Sequence, residues 1–227
     1  MESRRKVVAV LPAYNLEKSI GDIVRRTLPF VDAVVVTADA SKDRTAEAAR
    51  AAGAVVPEPE MVRGKGYAII KGIEETKKLG AGIVILMDSD GQHLPEEIPI
   101  LIAPIVEGRA DHVNGSRMLG DFERGGPLIR HAGVHFFSWV VTILTGQRVT
   151  DISSGYRATR AETLRTLILV QDQFWTSEVT IEALRQHARV VEVPVTFLTR
   201  RGGESKKPKS MRYAWNFSKA IGKTWLR

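Results

Sequence analysis

The sequence predicts an α/β fold in which helices flank a mostly parallel sheet. Three observations predict it. Short runs rich in β-branched residues alternate with segments whose apolar residues recur at helical spacing. Those runs are almost uninterruptedly apolar, as strands covered on both faces must be. At 227 residues, 44% of them hydrophobic, the chain can bury a sizeable core although its lack of cysteine rules out disulfides and thiolate metal sites.

The elements follow in order. Strand "KVVAVL" (6–11) leads to a helix over "NLEKSIGDIVRRTL" (15–28), and "DAVVVT" (32–37) to a helix over "DRTAEAARAAG" (43–53). The short "AVV" (54–56) precedes a helix over 65–80, "GIVILM" (82–87) one over 95–108, and "DHVNGS" (111–116) reads as a further strand. Residues 127–145 form the most apolar helical segment, broken by Arg130, His131 and His135. It is too short and too charged to span a bilayer, and reads as a core helix or one lying at a membrane surface. A loop over 150–159, a short helix near 161–169, an amphipathic helix near 177–187 and two short strands around Pro194 complete a first domain, 1–199.

Residues 200–227 read as a second unit, a basic and aromatic loop and helix. They hold nine Lys or Arg against one acid, whereas the preceding residues hold 24 bases and 25 acids. Such a tail favours phosphates, anionic lipid surfaces or nucleic acid, and Tyr213, Trp215, Phe217 and Trp225 give a helix something to bury. No segment reads as a signal peptide or a transmembrane helix, so a cytoplasmic protein is expected.

Glycine-rich nucleotide motifs fail. A P-loop would need Gly where Pro59 stands and Ser or Thr where Gly66 follows Lys65; the dinucleotide fingerprint would need Gly at Ile69. A stronger feature is "VILMDSDGQHLPEE" (84–97). Ligands in open α/β sheets bind beyond the carboxyl ends of the strands, where Asp88 and Asp90 fall. If the chain stays extended there, Asp88, Asp90 and Gln92 point the same way and offer three oxygens to a hard cation such as Mg²⁺ or Mn²⁺. His93 is a possible fourth ligand.

Seven stretches in order carry a resemblance: "LPAYN" (11–15), "ADASKDRT" (38–45), "RGKGYA" (63–68), "MDSDGQHLPE" (87–96), "NGSR" (114–117), "TDISSGYRA" (150–158) and "RRGGESK" (200–206). With them the chain resembles the family 2 glycosyltransferases of nucleotide-diphosphosugar transferase (GT-A) fold, and within these the dolichyl- or polyprenyl-phosphate mannose synthases. The resemblance implies that Pro12, Ala13, Tyr14, Glu17, Asp39, Lys65 and Gly66 bind the nucleotide. It implies that Asp88, Asp90 and Gln92 hold the metal, and that Arg117, Arg130, Arg200, Ser205 and Lys206 bind the acceptor phosphate. Ala38 stands where the family usually has an acid beside Asp39, and Leu16, Leu94 and Val134 also depart from its pattern.

The same resemblance implies an inverting transfer of a hexose, with mannose from GDP-mannose expected, to a polyprenyl phosphate at the cytoplasmic face of a membrane. The expected partners are the nucleotide-sugar donor, the lipid acceptor, the membrane surface and a possible separate anchoring subunit, with no nucleic acid. A phosphate acceptor is largely ionised at neutral pH and needs no base. A hydroxyl acceptor does, and Glu178 or Asp151 would supply it. A UDP-sugar donor, a hydroxyl acceptor and a non-catalytic sugar-nucleotide-binding subunit remain the alternatives.

Overall fold

The computed structural model describes residues 5–38, 41–58, 64–120, 128–198 and 211–227. Its strands are β1 (Val7–Pro12), β2 (Ala33–Thr37), β3 (Ile83–Leu86), β4 (His112–Ser116), β5 (Arg157–Arg160) and β6 (Val190–Pro194). Its helices are α1 (Ile20–Thr27), α2 (Thr45–Ala51), α3 (Lys65–Lys78), α4 (Ile98–Val106), α5 (Leu128–Thr145), α6 (Ala161–Thr166), α7 (Trp175–Arg185) and α8 (Met211–Trp225). The strands form one sheet in the order β2-β1-β3-β5-β4-β6, with β5 alone antiparallel to its neighbours.

Strand periodicity explains why the runs are apolar throughout. Val7, Ala9 and Leu11 of β1 face one core with Val24 of α1, Ala49 of α2 and Leu101 of α4. Val8 and Val10 face the other, with Ile69 and Ile73 of α3, Leu164 of α6 and Val179 of α7. β3 splits likewise, Ile83 and Ile85 to the first core and Val84 and Leu86 to the second. Each such Val, Leu or Ile side chain contributes about 1.5–3 kcal/mol when fully buried. A third cluster joins α5, α7 and α8 through Val141, Phe174, Ile181, Phe217 and Ile221, with the Phe137 and Phe217 rings edge to face at 4.6 Å.

Of the two short strands expected around Pro194 only β6 forms among the described residues, and three other elements differ from expectation for local reasons. α1 begins at Ile20 rather than near Asn15, because the preceding backbone is tied to the 41–45 loop. There Leu16 N–H donates to Thr45 Oγ1 at 2.7 Å, and Lys42 N–H to Asn15 Oδ1 at 2.9 Å. The "AVV" run shrinks to a single bridge from Val55 to Val35, and Pro57 soon after it has no N–H for a ladder. β5 forms within the expected 150–159 loop and continues to Arg160. Its arginines, which argue against a central strand, are buried but bonded: Arg160 donates to the carbonyls of Ala110 and Ile105.

Because β5 runs opposite to β3 and β4, its amino end lies beside their carboxyl ends, Leu86 and Asn114 both pairing with Arg157. The loops after β1, β2, β3 and β4 and the one entering β5 therefore meet at one edge. No helix among the described residues is long and apolar enough to cross a membrane.

Candidate active site at the carboxyl edge of the sheet

Asp88 and Asp90 leave the core as β3 ends. Met87 and Ser89 are buried and Ser89 Oγ donates to Pro12 O, which fixes the segment against the end of β1. Asp88 is half-buried. Its Oδ1 accepts from Lys65 Nζ at 2.6 Å, from the first residue of α3. Its other flank lies against Gly155, where a Cβ would come within 2.7 Å of the carboxyl carbon. Only glycine leaves that carboxylate its place.

The segment does not stay extended, so the alternation expected to align Asp88, Asp90 and Gln92 is not the geometry observed. It bends over Ser89–Gly91, Gly91 has φ +77°, and Asp90 Oδ1 accepts the Gln92 N–H at 3.2 Å. The alternation that would align three side chains is lost at this turn. Gln92 instead faces residue 198: its Nε2 donates to Leu198 O at 3.0 Å, and its carbonyl accepts from Leu198 N–H. His93 is buried between Tyr156 and Phe197, with ring centroids at 4.9 and 5.2 Å. Burial pushes its pKa down to about 4, so it is a neutral packing residue rather than an outward ligand.

Two further expected site residues, Arg117 and Asp151, are bonded to each other. Arg117 is 4% exposed and Asp151 0%. Asp151 accepts Arg117 Nε at 2.6 Å, its Nη2 at 2.7 Å and its backbone N–H at 3.1 Å. Burial raises the carboxyl's pKa, but the adjacent guanidinium outweighs this and holds it below the usual range. The guanidinium also donates to Ser153 and lies over Phe197. This pair braces the loop entering β5, each partner bonded to the other in this arrangement. Glu178, the other expected base, is likewise 0% exposed: Oε2 accepts the N–H groups of Val170 and Gln171, and Oε1 accepts Arg227 at 3.0 Å.

The nucleotide-binding expectations fall along the same edge. Pro12 ends β1, Ala13 N–H bonds Thr37 O, and Tyr14 is exposed. Glu17 accepts Arg44 N–H at 3.2 Å and donates its own N–H to Asp43. Lys65 and Gly66 open α3. Asp39, Arg200, Ser205 and Lys206 lie outside the described residues, as does the side chain of Arg130 in the first turn of α5.

Sequence reasoning missed Arg157 and Trp175. Arg157 is fully buried at the start of β5 and donates to the carbonyls of Thr176 and Ile152. Burial lowers its pKa to about 9, partly offset by Asp151, Asp88 and Glu192, so it remains a cation behind the Asp88 carboxylate at neutral pH. The Trp175 ring has its centroid 5.8 Å from both the Arg157 and the Lys65 charge. The signal was an arginine in a segment otherwise rich in small polar residues.

A cleft lined by Val170, Gln171, Lys223, Leu226 and Arg227 contains none of these carboxylates.

Comparison with known proteins agrees with this geometry. Residues 8–167 match the model of Glycosyl transferase family 2. The chain is 34% identical to an undecaprenyl-phosphate mannosyltransferase of Micrococcus luteus, over 88% of this chain and 87% of that one. It is 30% identical to a UDP-N-acetylglucosamine–dolichyl-phosphate N-acetylglucosaminyltransferase of Methanococcus voltae, over 83% and 84%. Among solved structures, glucosyl-3-phosphoglycerate synthase of Mycobacterium tuberculosis, in complex with Mn²⁺, UDP and glucosyl-3-phosphoglycerate, superposes with a TM-score of 0.75 at 22% identity. That match covers 98% of this chain and 79% of the other, and its likeness is one of fold. With the family model spanning most of the chain and its stretches gathered at one sheet edge, the protein belongs to glycosyl transferase family 2 and is a glycosyltransferase.

Proposed function

We propose that the chain transfers a hexose, with mannose from GDP-mannose as the first choice, from a nucleoside diphosphate to a polyprenyl phosphate. The observation that carries the reading is Asp88, half-buried at the sheet edge against Lys65 with Asp90 two residues beyond. The relatives that act on undecaprenyl and dolichyl phosphates support the acceptor class. They differ in sugar, so the donor rests on the resemblance alone.

A divalent cation, Mg²⁺ or Mn²⁺, fits the acids present. Asp88 already holds a cationic group, the Lys65 ammonium, and Gly155 keeps its carboxylate from being displaced. Among the described residues no three His, Cys, Asp or Glu side chains gather to enclose an ion, which suits one completed by substrate oxygens and water. When bound at Asp88 and Asp90, such a cation would neutralise charge on the departing diphosphate. Lys65 would turn from Asp88 toward the same phosphates, and the buried Arg157 would add positive charge near Asp88.

The acceptor class also follows from saturation. Asp151 and Glu178, the acids nominated as bases, are both consumed by buried pairs. An acceptor phosphate ionises itself, its second pKa being near 6, and needs only alignment. Its oxygen attacks the anomeric carbon as the bond to the diphosphate breaks. This single displacement inverts the centre and releases the nucleoside diphosphate.

The exposed side of α5 supports a membrane surface as the meeting place. Phe136, Trp139 and Ile143 are each more than half exposed, and on α8 exposed Trp215 stands by Lys219, 5.1 Å from its ring. Exposed Arg212 and Lys223 add positive charge. This pattern suits an interfacial helix pair on anionic lipid.

Incubation with radiolabelled GDP-mannose, UDP-glucose or UDP-N-acetylglucosamine, Mn²⁺ and a polyprenyl phosphate tests the function. Lipid-linked product is expected, with Asp90→Ala lowering its rate at least about a thousandfold. Product from a UDP-sugar alone would overturn the mannose donor; transfer to an alcohol but not to the phosphate would overturn the acceptor.

A further inference from the structure

Glu178 has no place at the reacting atoms, yet it is fully buried and holds a loop that ends on the candidate donor site. Its Oε2 accepts the consecutive N–H groups of Val170 and Gln171 at 2.9 and 2.8 Å. The next residue, Asp172, reaches the start of α3, where its Oδ1 accepts the Gly66 N–H at 2.8 Å. The contact is tight. A Cβ on Gly66 would lie 2.3 Å from Gln171 O, and one on Gly64 would overlap the Asp172 carboxylate. Between those glycines stands Lys65, bonded to Asp88.

The loop's other support comes from beyond α8. Arg227 donates to Glu178 Oε1 at 3.0 Å and to Ile168 O at 2.8 Å, tying both the anchor and the loop's first residue. The cleft lined by Val170, Gln171, Lys223, Leu226 and Arg227 adjoins this tie.

We propose that Glu178 is a positioning residue for the donor: with Arg227 it clamps the 168–172 loop, so that Asp172 caps α3 and Lys65 is aimed at the diphosphate. The inference rests on the donor site proposed above. Helix N-termini favour a carboxylate cap, and a side-chain acceptor lost there frees the first turn to fray. Here fraying would disperse the lysine bonded to Asp88. Seating of α8, whose outer face carries Trp215 and Lys219, thereby bears on donor affinity through a continuous chain of named bonds.

The test is calorimetric binding of GDP and UDP with Mn²⁺, with hydrogen exchange at the Gly66 amide. Asp172→Ala should weaken nucleotide binding about fivefold and speed Gly66 exchange, whereas Asp172→Asn, which keeps an acceptor oxygen, should stay within about twofold of wild type. Glu178→Gln keeps an oxygen for the two N–H groups but turns a donor NH2 toward Arg227, losing both the bond and the charge there, so it should weaken binding about as Arg227→Ala does, while Glu178→Ala should be weaker than either. Tighter binding in both Asp172 variants would overturn the proposal, since the carboxylate would then be a competitor of the phosphates. Unchanged affinity in Asp172→Ala and Arg227→Ala, both at exposed residues, would overturn it even if Glu178→Ala fails to fold. A wild-type protein that binds neither nucleotide would instead remove the donor site itself.

Discussion

Asp88 and Asp151 both meet a cation through a short bond at the same sheet edge, yet their surroundings are opposite. Asp151 is wholly buried and receives Arg117 through two side-chain nitrogens and its backbone N–H, with Ser153 adding further bonds. Asp88 is half-buried and meets a lysine that is itself 45% exposed. The first arrangement has no capacity left for a substrate. The second has a cation on a flexible stem, able to exchange one anionic partner for another. Accessibility and saturation, rather than residue type, separate the acid that builds the site from the acid that works in it.

The comparison can be broken most sharply by removing one partner from each side. Asp151→Ala leaves Arg117 buried without its carboxylate partner, and should lower unfolding free energy by about 3–5 kcal/mol in urea denaturation. A loss under about 1 kcal/mol would place that pair among the open ones. A second, smaller effect comes from His112, buried on β4 with Nδ1 2.8 Å from Thr159 Oγ1. Burial pulls its pKa down to about 3. Above pH 6.5 the ring is neutral in both states and costs nothing. As pH falls below 6.5 the unfolded chain gains a proton that the folded one refuses, so stability should fall by about 2 kcal/mol between pH 6.5 and 5. A flat urea midpoint over that window in wild type, or an equal slope in His112→Gln, would contradict it. The smallest effect should come from the open side: Asp88→Asn is expected to change stability by no more than about 0.5 kcal/mol. A large destabilisation there would make Asp88 structural and erase the contrast.

The sheet was legible because apolar runs report burial on both faces, and β1, β2, β3 and β4 fall where those runs lie. β5 was not, because its stability comes from its neighbours: Arg157 donates to the carbonyls of Ile152 and Thr176, Arg160 to those of Ala110 and Ile105, and Thr159 bonds the His112 ring. The site divides in the same way. Asp88 and Asp90 could be placed at a ligand edge from the strand before them. That Gln92 turns toward Leu198, and that Arg117, Asp151 and Glu178 are consumed in pairs, depends on contacts 34 to 106 residues away in the chain, which local spacing does not encode. Gly155 and Arg157 were visible only as members of a stretch; their bearing on Asp88 needed the register of β5 against β3.

The central claim, that the open acids at the end of β3 seat a nucleoside diphosphate with its cation, is tested most directly by titrating Mn²⁺ and GDP or UDP into wild-type protein and Asp90→Ala. Saturable, Mn²⁺-dependent binding is expected in the wild type, weakened at least about tenfold in the variant while its unliganded melting temperature is unchanged. Equal nucleotide affinity in the two proteins, with or without Mn²⁺, would contradict the account.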